Sequence, residues 1–200
     1  FYNPKLILID PEVLKTLPQN ELHCGIAEAI KYGCIKDEKL LDILENSDIG
    51  NYLNEIIYRS IMIKKEFVEK DEFDLGYRMH LNFGHTIGHA IERLYNYEKI
   101  SHGQAVSIGM NIITKISEMM NLTQKGTLDR LSLVCKKYSL LTGDDLFFSN
   151  TDKISEIILH DKKILDNYLN LVLLKKIGES FIYKISSENI VDFIKGEYLI

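Results

Sequence analysis

The chain has 200 residues, with 24 Lys and Arg against 29 Asp and Glu, so its formal net charge is −5. This acidic balance excludes the basic surface that most nucleic-acid-binding proteins present to phosphates. Hydrophobic residues make up 46% of the chain and charged residues 26%, which is typical of a globular protein with a sizeable core. No apolar run reaches the roughly 18 residues that span a bilayer, so we expect no membrane partner.

The first residues and the cysteines predict where the protein resides. The opening FYNPKLILID lacks the basic and then apolar layout of a secretory signal, so we interpret it as interior sequence. The three cysteines, Cys24, Cys34 and Cys135, form neither a CxxC motif nor a disulfide framework. We therefore expect a reducing, cytoplasmic location, with the cysteines serving as small buried hydrophobic residues.

Apolar periodicity predicts one short strand followed mainly by helices. The run Leu6 to Ile9, closed by Asp10-Pro11, predicts a buried strand over residues 4–10. A spacing close to 3.6 residues predicts helices over residues 20–34, 49–70, 83–95, 102–120, 127–139, 153–163 and 188–194. Residues 168–174 and 180–185 flank Gly178 and predict a hairpin. With no linker and no repeat, we expect one compact, mainly helical unit.

Glu28 and Lys31 share one face of the first predicted helix, opposite its apolar stripe. This spacing is typical of an exposed ion pair, which stabilises a helix by a few tenths of a kcal/mol, and it also suits a polar site.

His85 and His89 lie one turn apart on the third long helix, opposite its apolar stripe. Two histidines at this spacing can bind one metal ion, or they can simply face solvent. Gly84 and Gly88 favour a closely packed neighbour or a bound ligand, because interior glycines weaken a helix by about 1 kcal/mol each.

His102 begins the next helix, where Ser101 followed by Gln104 matches the capping-box pattern. The helix N-terminus favours neutral imidazole, the form that binds metal, although a solvated histidine fits this position too. Glu28, His85 and His102 would together make an open zinc-type site.

Three further cationic segments fit either a site or ordinary solvation. Lys64 falls inside the apolar arc of its helix, so its ammonium group either reaches past that arc to water or meets an anion. Arg78 offers a guanidinium fork for a carboxylate or phosphate, or is solvated in a loop. The segment Asp161-Lys162-Lys163 follows a predicted helix, where lysines also complement the helix dipole.

Four segments taken together resemble the 3-dehydroquinate synthases: GIAEAIKYG (25–33), LNFGHTIGHAIE (81–92), HGQAVSIGM (102–110) and DKK (161–163). The resemblance runs in order from FYNPKLILID through the hairpin and covers the C-terminal half of that family. It implies a helical C-terminal domain with a small antiparallel hairpin in residues 13–200. Residues 1–12 would be one leftover strand of an absent NAD-binding α/β domain.

The resemblance also implies an activity. Members of this family convert 3-deoxy-D-arabino-heptulosonate 7-phosphate to 3-dehydroquinate and phosphate in the shikimate pathway, which leads to the aromatic amino acids. They use NAD to oxidise a hydroxyl transiently, which makes phosphate elimination feasible, and they use a divalent metal such as Zn²⁺ or Co²⁺. The partner implied is a small phosphorylated sugar acid, and the full-length protein is expected to be a homodimer.

Site residues carry over by motif. Glu28, His85 and His102 match the metal ligands, whereas His89 matches a proton shuttle, which replaces the interpretation of His85 and His89 as a ligand pair. Lys31, Asn82 and Lys162, the last preferred over Lys163, match groups near the substrate phosphate and hydroxyls, and the resemblance also implies that Lys31 and Asn82 are catalytic together with His89. Lys64 and Arg78 match a clamp for the substrate carboxylate.

Two departures from the family pattern accompany this resemblance. Gln104 stands where the family usually has Glu, and the chain contains no Gly-rich nucleotide loop. We therefore expect an excised C-terminal domain that is inactive in isolation. The alternatives are another sugar phosphate cyclase, such as a 2-deoxy-scyllo-inosose synthase, whose substrate has no carboxylate, and a helical interaction module without catalytic chemistry.

Overall fold

The computed structural model describes residues 5–74, 76–143, 147, 149–160 and 167–196. In this part of the chain the α-helices are α1 (Gln19–Ile35), α2 (Glu38–Asn46), α3 (Ile49–Lys70), α4 (His85–Leu94), α5 (His102–Met119), α6 (Thr127–Lys137), α7 (Thr151–Leu159) and α8 (Ile190–Lys195). Short 3₁₀ helices span Pro11–Thr16, Tyr77–Asn82 and Ser187–Asn189. The strands are β1 (Tyr168–Lys176) and β2 (Glu179–Ser186), so the prediction of a mainly helical fold with a small hairpin is confirmed.

Polar side chains mark where several helices begin. The carboxylate of Asp48 accepts the backbone N–H of Gly50 at 2.7 Å before α3, and Ser101 Oγ accepts the N–H of Gln104 at 3.4 Å before α5. Asp37 caps α2 in the same way. α2 is a helix that the apolar periodicity did not predict, although Asp37 as an N-cap before Leu40, Leu41 and Leu44 indicates it.

The hairpin packs against the end of α1. β1 and β2 pair antiparallel from Tyr168 opposite Ser186 to Lys176 opposite Glu179, with an irregularity between Leu174 and Lys176. Gly178 forms the turn at φ 80°, and its N–H donates to the carbonyl of Cys34 at 2.8 Å. The hairpin thus covers the end of the helix that carries Glu28.

α4 and α5 cross at very short range. A Cβ atom added to Gly109 would lie 2.0 Å from the carbonyl oxygen of Gly84, and one added to Gly88 would lie 3.1 Å from that of Ala105. Gly84 is also the N-cap of α4 at φ 77°, which delays the helix start to His85. Of the two explanations offered for Gly84 and Gly88, a closely packed neighbour is the one observed.

The strand predicted over residues 4–10 is wrong for the described residues 5–10, which form no strand. The expected burial is absent too, since Leu6 is 82% exposed and Leu8 is 88% exposed. A strand needs a neighbouring strand for its backbone hydrogen bonds, and within the described residues β1 and β2 pair only with each other.

Among the described residues, no helix combines the length and the apolar character needed to cross a membrane.

Candidate metal centre

Three helices bring Glu28, His85 and His102 together. Glu28 lies in the middle of α1, while His85 and His102 are the first residues of α4 and α5. The Nε2 atom of His85 lies 3.5 Å from Glu28 Oε1, and that of His102 lies 3.8 Å from the same oxygen. One donor atom from each residue falls within 4.8 Å of the other two.

Glu28 Oε1 is buried and has no hydrogen-bond partner. Its distances of 3.5 and 3.8 Å to the two Nε2 atoms are too long for hydrogen bonds. Two ligands held about 2.0–2.2 Å from a tetrahedral zinc ion lie about 3.3–3.6 Å apart. The orphaned oxygen and the carboxylate–imidazole donor set therefore fit a shared divalent cation.

Each imidazole ring is oriented by a hydrogen bond at Nδ1, the nitrogen that does not face Glu28. The Nδ1–H of His85 donates to the carbonyl of Phe83 at 3.1 Å, and that of His102 donates to Glu92 Oε1 at 3.1 Å. A carbonyl or a carboxylate can only accept, so the proton belongs on Nδ1 in each neutral ring. This tautomer leaves both Nε2 lone pairs available on the side of Glu28.

Lys31 is buried, so the interpretation of Glu28 and Lys31 as an exposed ion pair is wrong. Lys31 is 3% exposed, and its Nζ lies 2.6 Å from Glu28 Oε2. The other carboxylate oxygen, Oε1, is the one that faces the two histidines. Besides the other helices, α5 and the 3₁₀ helix Tyr77–Asn82 also pack against α1.

The ionisation of this cluster suits cation binding. Burial opposes the charged form of Glu28, but the His102 imidazole and the Lys31 ammonium outweigh it and lower its pKa to about 2. Burial, together with the charge of Lys31, lowers the pKa of His85 to about 4. At neutral pH the cluster therefore contains a carboxylate and a neutral His85. The pKa of His102 is raised, chiefly by Glu28 and also by Glu92, which together outweigh burial, so a cation has to compete with a proton at this ring more than at His85.

His89 lies beside the three donors. Its ring centroid is 5.3 Å from that of His85 in an edge-on arrangement and 6.1 Å from that of His102. His89, Glu92 and His102 form a second group whose donor atoms lie within 4.8 Å of one another. The two groups share His102.

Lys64 is exposed, so its predicted place on a buried face is wrong. The buried residues of α3 are Ile56, Ile63 and Phe67. The neighbouring apolar face lines an open groove of about 490 Å³ between α3, α1 and residues 8–17. Periodicity finds an apolar face but does not show whether that face is covered. The charge of Lys64 nevertheless affects the site. Burial is the main reason why the pKa of Lys31 is lowered, and the positive charge of Lys64 lowers it further.

The remaining predicted residues have separate surroundings. Arg78 is half-buried, and its Nη1 donates to the carbonyl of Glu72 at 2.9 Å. Asn82 lines a small pocket that Gly84 and Leu171 also line. Lys162 and Lys163 lie outside the described residues.

Two further residues beside the cluster, Glu92 and Gln104, have no predicted role. Glu92 is 7% exposed and lies three residues after His89 on α4, a buried acid that this spacing could have singled out. Gln104 bridges the start of α5 to the loop after α6. Its Oε1 accepts the N–H of Leu141 at 2.6 Å, and its Nε2 donates to the carbonyl of Ser139 at 3.0 Å.

The fold matches solved sugar phosphate cyclases. The 2-epi-5-epi-valiolone synthase of Streptomyces hygroscopicus, with NAD⁺ and Zn²⁺ bound, superposes with a TM-score of 0.78 at 22% identity over 94% of this chain and 53% of its own. A 2-deoxy-scyllo-inosose synthase, complexed with carbaglucose-6-phosphate, NAD⁺ and Co²⁺, gives a TM-score of 0.74 at 26% identity over 92% of this chain and 54% of its own.

Sequence comparison is more specific. The 3-dehydroquinate synthase of Clostridium perfringens strain SM101 is 51% identical over 192 residues, which are 94% of this chain and 54% of that protein. That of Clostridium acetobutylicum is 44% identical over 98% of this chain and 55% of its own length. The chain therefore spans about half the length of these relatives. The family model for the C-terminal part of 3-dehydroquinate synthase matches residues 25–164, and the chain thus belongs to the 3-dehydroquinate synthase family.

Proposed function

We propose that this chain is the metal- and substrate-binding part of a 3-dehydroquinate synthase, which converts 3-deoxy-D-arabino-heptulosonate 7-phosphate to 3-dehydroquinate and phosphate. The observation that carries the proposal is the convergence of His85 and His102 on the unpaired oxygen of Glu28. The 51% identity to a 3-dehydroquinate synthase supports this reaction over that of the 2-deoxy-scyllo-inosose synthase, to which identity is 26%.

Different side chains of this chain have different proposed roles in the reaction. A divalent ion, Zn²⁺ or Co²⁺, held by Glu28, His85 and His102 would supply Lewis-acid polarisation of substrate hydroxyls. Glu28 is a carboxylate at neutral pH because its pKa is about 2. His89 shuttles a proton through a ring nitrogen, and its place beside His85 supports this role.

Cationic and amide side chains are proposed to bind the substrate. The Lys31 ammonium lies 2.6 Å from Glu28 Oε2, which supports a role for it in binding the substrate hydroxyls. We assign Lys64 and Arg78 to the substrate carboxylate, and Asn82 and Lys162 to the hydroxyls and phosphate. These assignments rest on the family motifs and, for Lys64, on its electrostatic influence on Lys31.

NAD is the cofactor that we propose for the full-length enzyme. We propose that the nucleotide site belongs to the half of the relatives that this chain does not match, with residues 1–12 as part of it and residues 13–200 as the helical domain. The 200-residue chain alone would then be inactive. For the full-length enzyme we further propose a cytoplasmic homodimer whose partner is a phosphorylated sugar acid rather than nucleic acid or membrane.

Metal analysis tests the site in the chain as it stands. We expect one equivalent of Zn²⁺ or Co²⁺ after dialysis against the metal, lost in His85→Ala and Glu28→Gln. His160→Ala, at an exposed histidine outside the cluster, is the matched control and should retain the metal. Metal-free protein of unchanged stability would instead indicate a helical interaction module.

Substrate choice tests the reaction. In a chain completed by a nucleotide-binding half, we expect phosphate release from 3-deoxy-D-arabino-heptulosonate 7-phosphate and none from glucose 6-phosphate. Lys64→Ala should raise KM for the carboxylate-bearing substrate. Preference for glucose 6-phosphate would overturn the assignment in favour of an inosose synthase, and turnover by the isolated 200 residues with NAD would overturn the proposal that they are inactive.

A further inference from the structure

Glu92 is a buried acid in contact with one metal-ligand candidate. Its side chain is 9% exposed, and its Oε1 accepts the Nδ1–H of His102 at 3.1 Å. A buried carboxylate is unfavourable unless hydrogen bonds or charges compensate it. The proposed reaction assigns no task to this residue.

The two histidines are held in different ways. The side chain of His85 is 12% exposed, and its ring donates to the backbone carbonyl of Phe83. The side chain of His102 is 43% exposed, and its Nδ1 donates to a side chain, that of Glu92. Because burial restricts the His102 ring less, its orientation depends more on that hydrogen bond.

Glu92 and His102 lie on two closely packed helices. Glu92 lies on α4 and His102 begins α5, the two helices whose glycine contacts allow backbone approach at Gly84 and Gly109. A carboxylate fixed on one helix can therefore set the ring angle of a residue on the other.

We propose that Glu92 is a positioning residue that prepares His102 to bind the cation. By accepting the Nδ1–H, it holds the tautomer whose Nε2 lone pair is available on the side of Glu28 Oε1, and its charge makes that nitrogen a stronger donor. Such carboxylate–histidine–metal arrangements typically contribute about 10- to 100-fold in metal affinity. The inference rests on the proposed function insofar as the site binds a cation.

The same residues allow one competing interpretation. His89, Glu92 and His102 could hold a second cation, because their donor atoms lie within 4.8 Å of one another. That cation would have to replace the proton on Nδ1 while Nε2 binds the first ion, which leaves a doubly bound imidazolate. The 3.1 Å contact between Nδ1 and Glu92 Oε1 has the length of a hydrogen bond, so positioning is favoured.

Metal affinity separates the two interpretations. Chelator competition with Zn²⁺ on the purified chain should give one equivalent, bound 10- to 100-fold more weakly in Glu92→Ala and weakened less in Glu92→Gln, whose amide oxygen still accepts the Nδ1–H. Glu118→Gln is the matched control, since Glu118 accepts a backbone N–H from Leu128 away from the cluster, and it should bind like the unmodified chain. Unchanged affinity in both Glu92 variants would overturn the proposal. The proposal would also be overturned if the unmodified chain bound two equivalents of Zn²⁺ and the Glu92 variants bound one, with the tighter of the two affinities unchanged.

Imidazole ¹⁵N NMR gives a readout that needs no metal. In metal-free protein with neutral rings, His102 should show the Nδ1–H tautomer, and Glu92→Ala should convert it to a mixture while the His85 signals stay unchanged. A His102 tautomer that is unaffected by Glu92→Ala would contradict the positioning role whatever the metal result. If the tautomer responds but the chain binds no metal, the proposed function fails while the positioning contact stands.

Discussion

The two carboxylate oxygens of Glu28 have different surroundings. Oε2 is paired with the buried ammonium of Lys31 at 2.6 Å, whereas Oε1 is buried and lacks a hydrogen bond. Lys31 thus compensates the carboxylate in the metal-free protein and leaves one oxygen for a cation. The same ammonium also repels a cation bound nearby, so it links metal affinity to stability.

Replacing Lys31 by Met should reveal this coupling. Removing one partner of a buried ion pair costs about 3–5 kcal/mol, and because the Glu28 side chain is 30% exposed we expect a smaller loss of about 1–3 kcal/mol in the metal-free chain. With excess Zn²⁺ the loss should shrink, since the cation replaces the missing positive charge. Urea unfolding with and without metal measures both values. Lys65→Met, at an exposed lysine, is the control, and equal losses in both conditions would contradict the coupling.

The sequence predicts the burial of individual side chains less well than it predicts helices. Spacing placed Glu28 and Lys31 on one polar face and Lys64 on an apolar one, yet Lys31 is buried and Lys64 is exposed. Periodicity reports which side chains share a face, and tertiary packing decides which faces are covered. The convergence of His85 and His102 on Glu28 could be expected only from the family motifs, because nothing local relates positions on three separate helices.

The helices and the hairpin followed more closely from the sequence. α3 matches its predicted bounds, and α5 starts at the predicted His102. Strong periodicity and the Ser101 cap explain this agreement, because both act within a few residues. α2 is only nine residues long and was missed, and the strand at residues 4–10 fails because its partner would have to come from elsewhere.

The α4–α5 crossing depends on its glycines. In Gly109→Ala the new Cβ would lie 2.0 Å from the Gly84 carbonyl oxygen, so the helices must separate, and we expect a loss of about 3 kcal/mol in the free energy of unfolding. Gly25→Ala is the matched control, because its Cβ meets nothing within 4 Å and α1 should gain up to about 1 kcal/mol. Thermal unfolding of both variants decides this, and a neutral Gly109→Ala would show that the crossing can relax.

Glu66 on α3 forms hydrogen bonds within α3, to the end of α1 and to the 3₁₀ helix Tyr77–Asn82. It should therefore make the free energy of unfolding depend on pH. Its Oε1 accepts from Lys70 at 2.7 Å, from Lys36 at 3.0 Å and from Tyr77 at 3.2 Å. The hydrogen bonds from Lys70 and then Lys36 lower the pKa of Glu66 from 4.5 to about 2. A carboxyl with a depressed folded-state pKa stabilises the protein above its ordinary pKa, and this contribution is lost as the pH falls toward 2.

Glu66→Gln should therefore cost stability at neutral pH and little in acid. Because solvent screens this half-exposed group, we expect about 0.5–1.5 kcal/mol at pH 7, shrinking as the pH falls from about 4.5 to about 2. Urea midpoints across that range provide the measurement. Glu69→Gln, on the more exposed pair with Lys65, should change less at every pH. A difference that persists unchanged at low pH would assign the effect to packing instead of charge.

At the scale of the whole molecule, the cation site joins helices that are distant in sequence. Glu28, His85 and His102 come from α1, α4 and α5, and α5 contributes the largest set of buried residues of any helix in the described chain. A cation bound to all three ligands favours the folded state over the unfolded one. The stabilisation is RT ln(1 + [L]/Kd), about 2.7 kcal/mol when the free metal is 100 times Kd.

Chelation should therefore lower the thermal midpoint of the entire chain in one cooperative step. We expect the shift to reverse when Zn²⁺ is restored and to vanish in Glu28→Gln, whose amide is a poor substitute for the ligand carboxylate. Hydrogen exchange should locate the effect at the N-terminal turns of α4 and α5, where His85 and His102 lie, with little change in β1 and β2. If chelator shifts Glu28→Gln as much as the unmodified chain, the stabilising ion binds elsewhere and the three residues do not form its site.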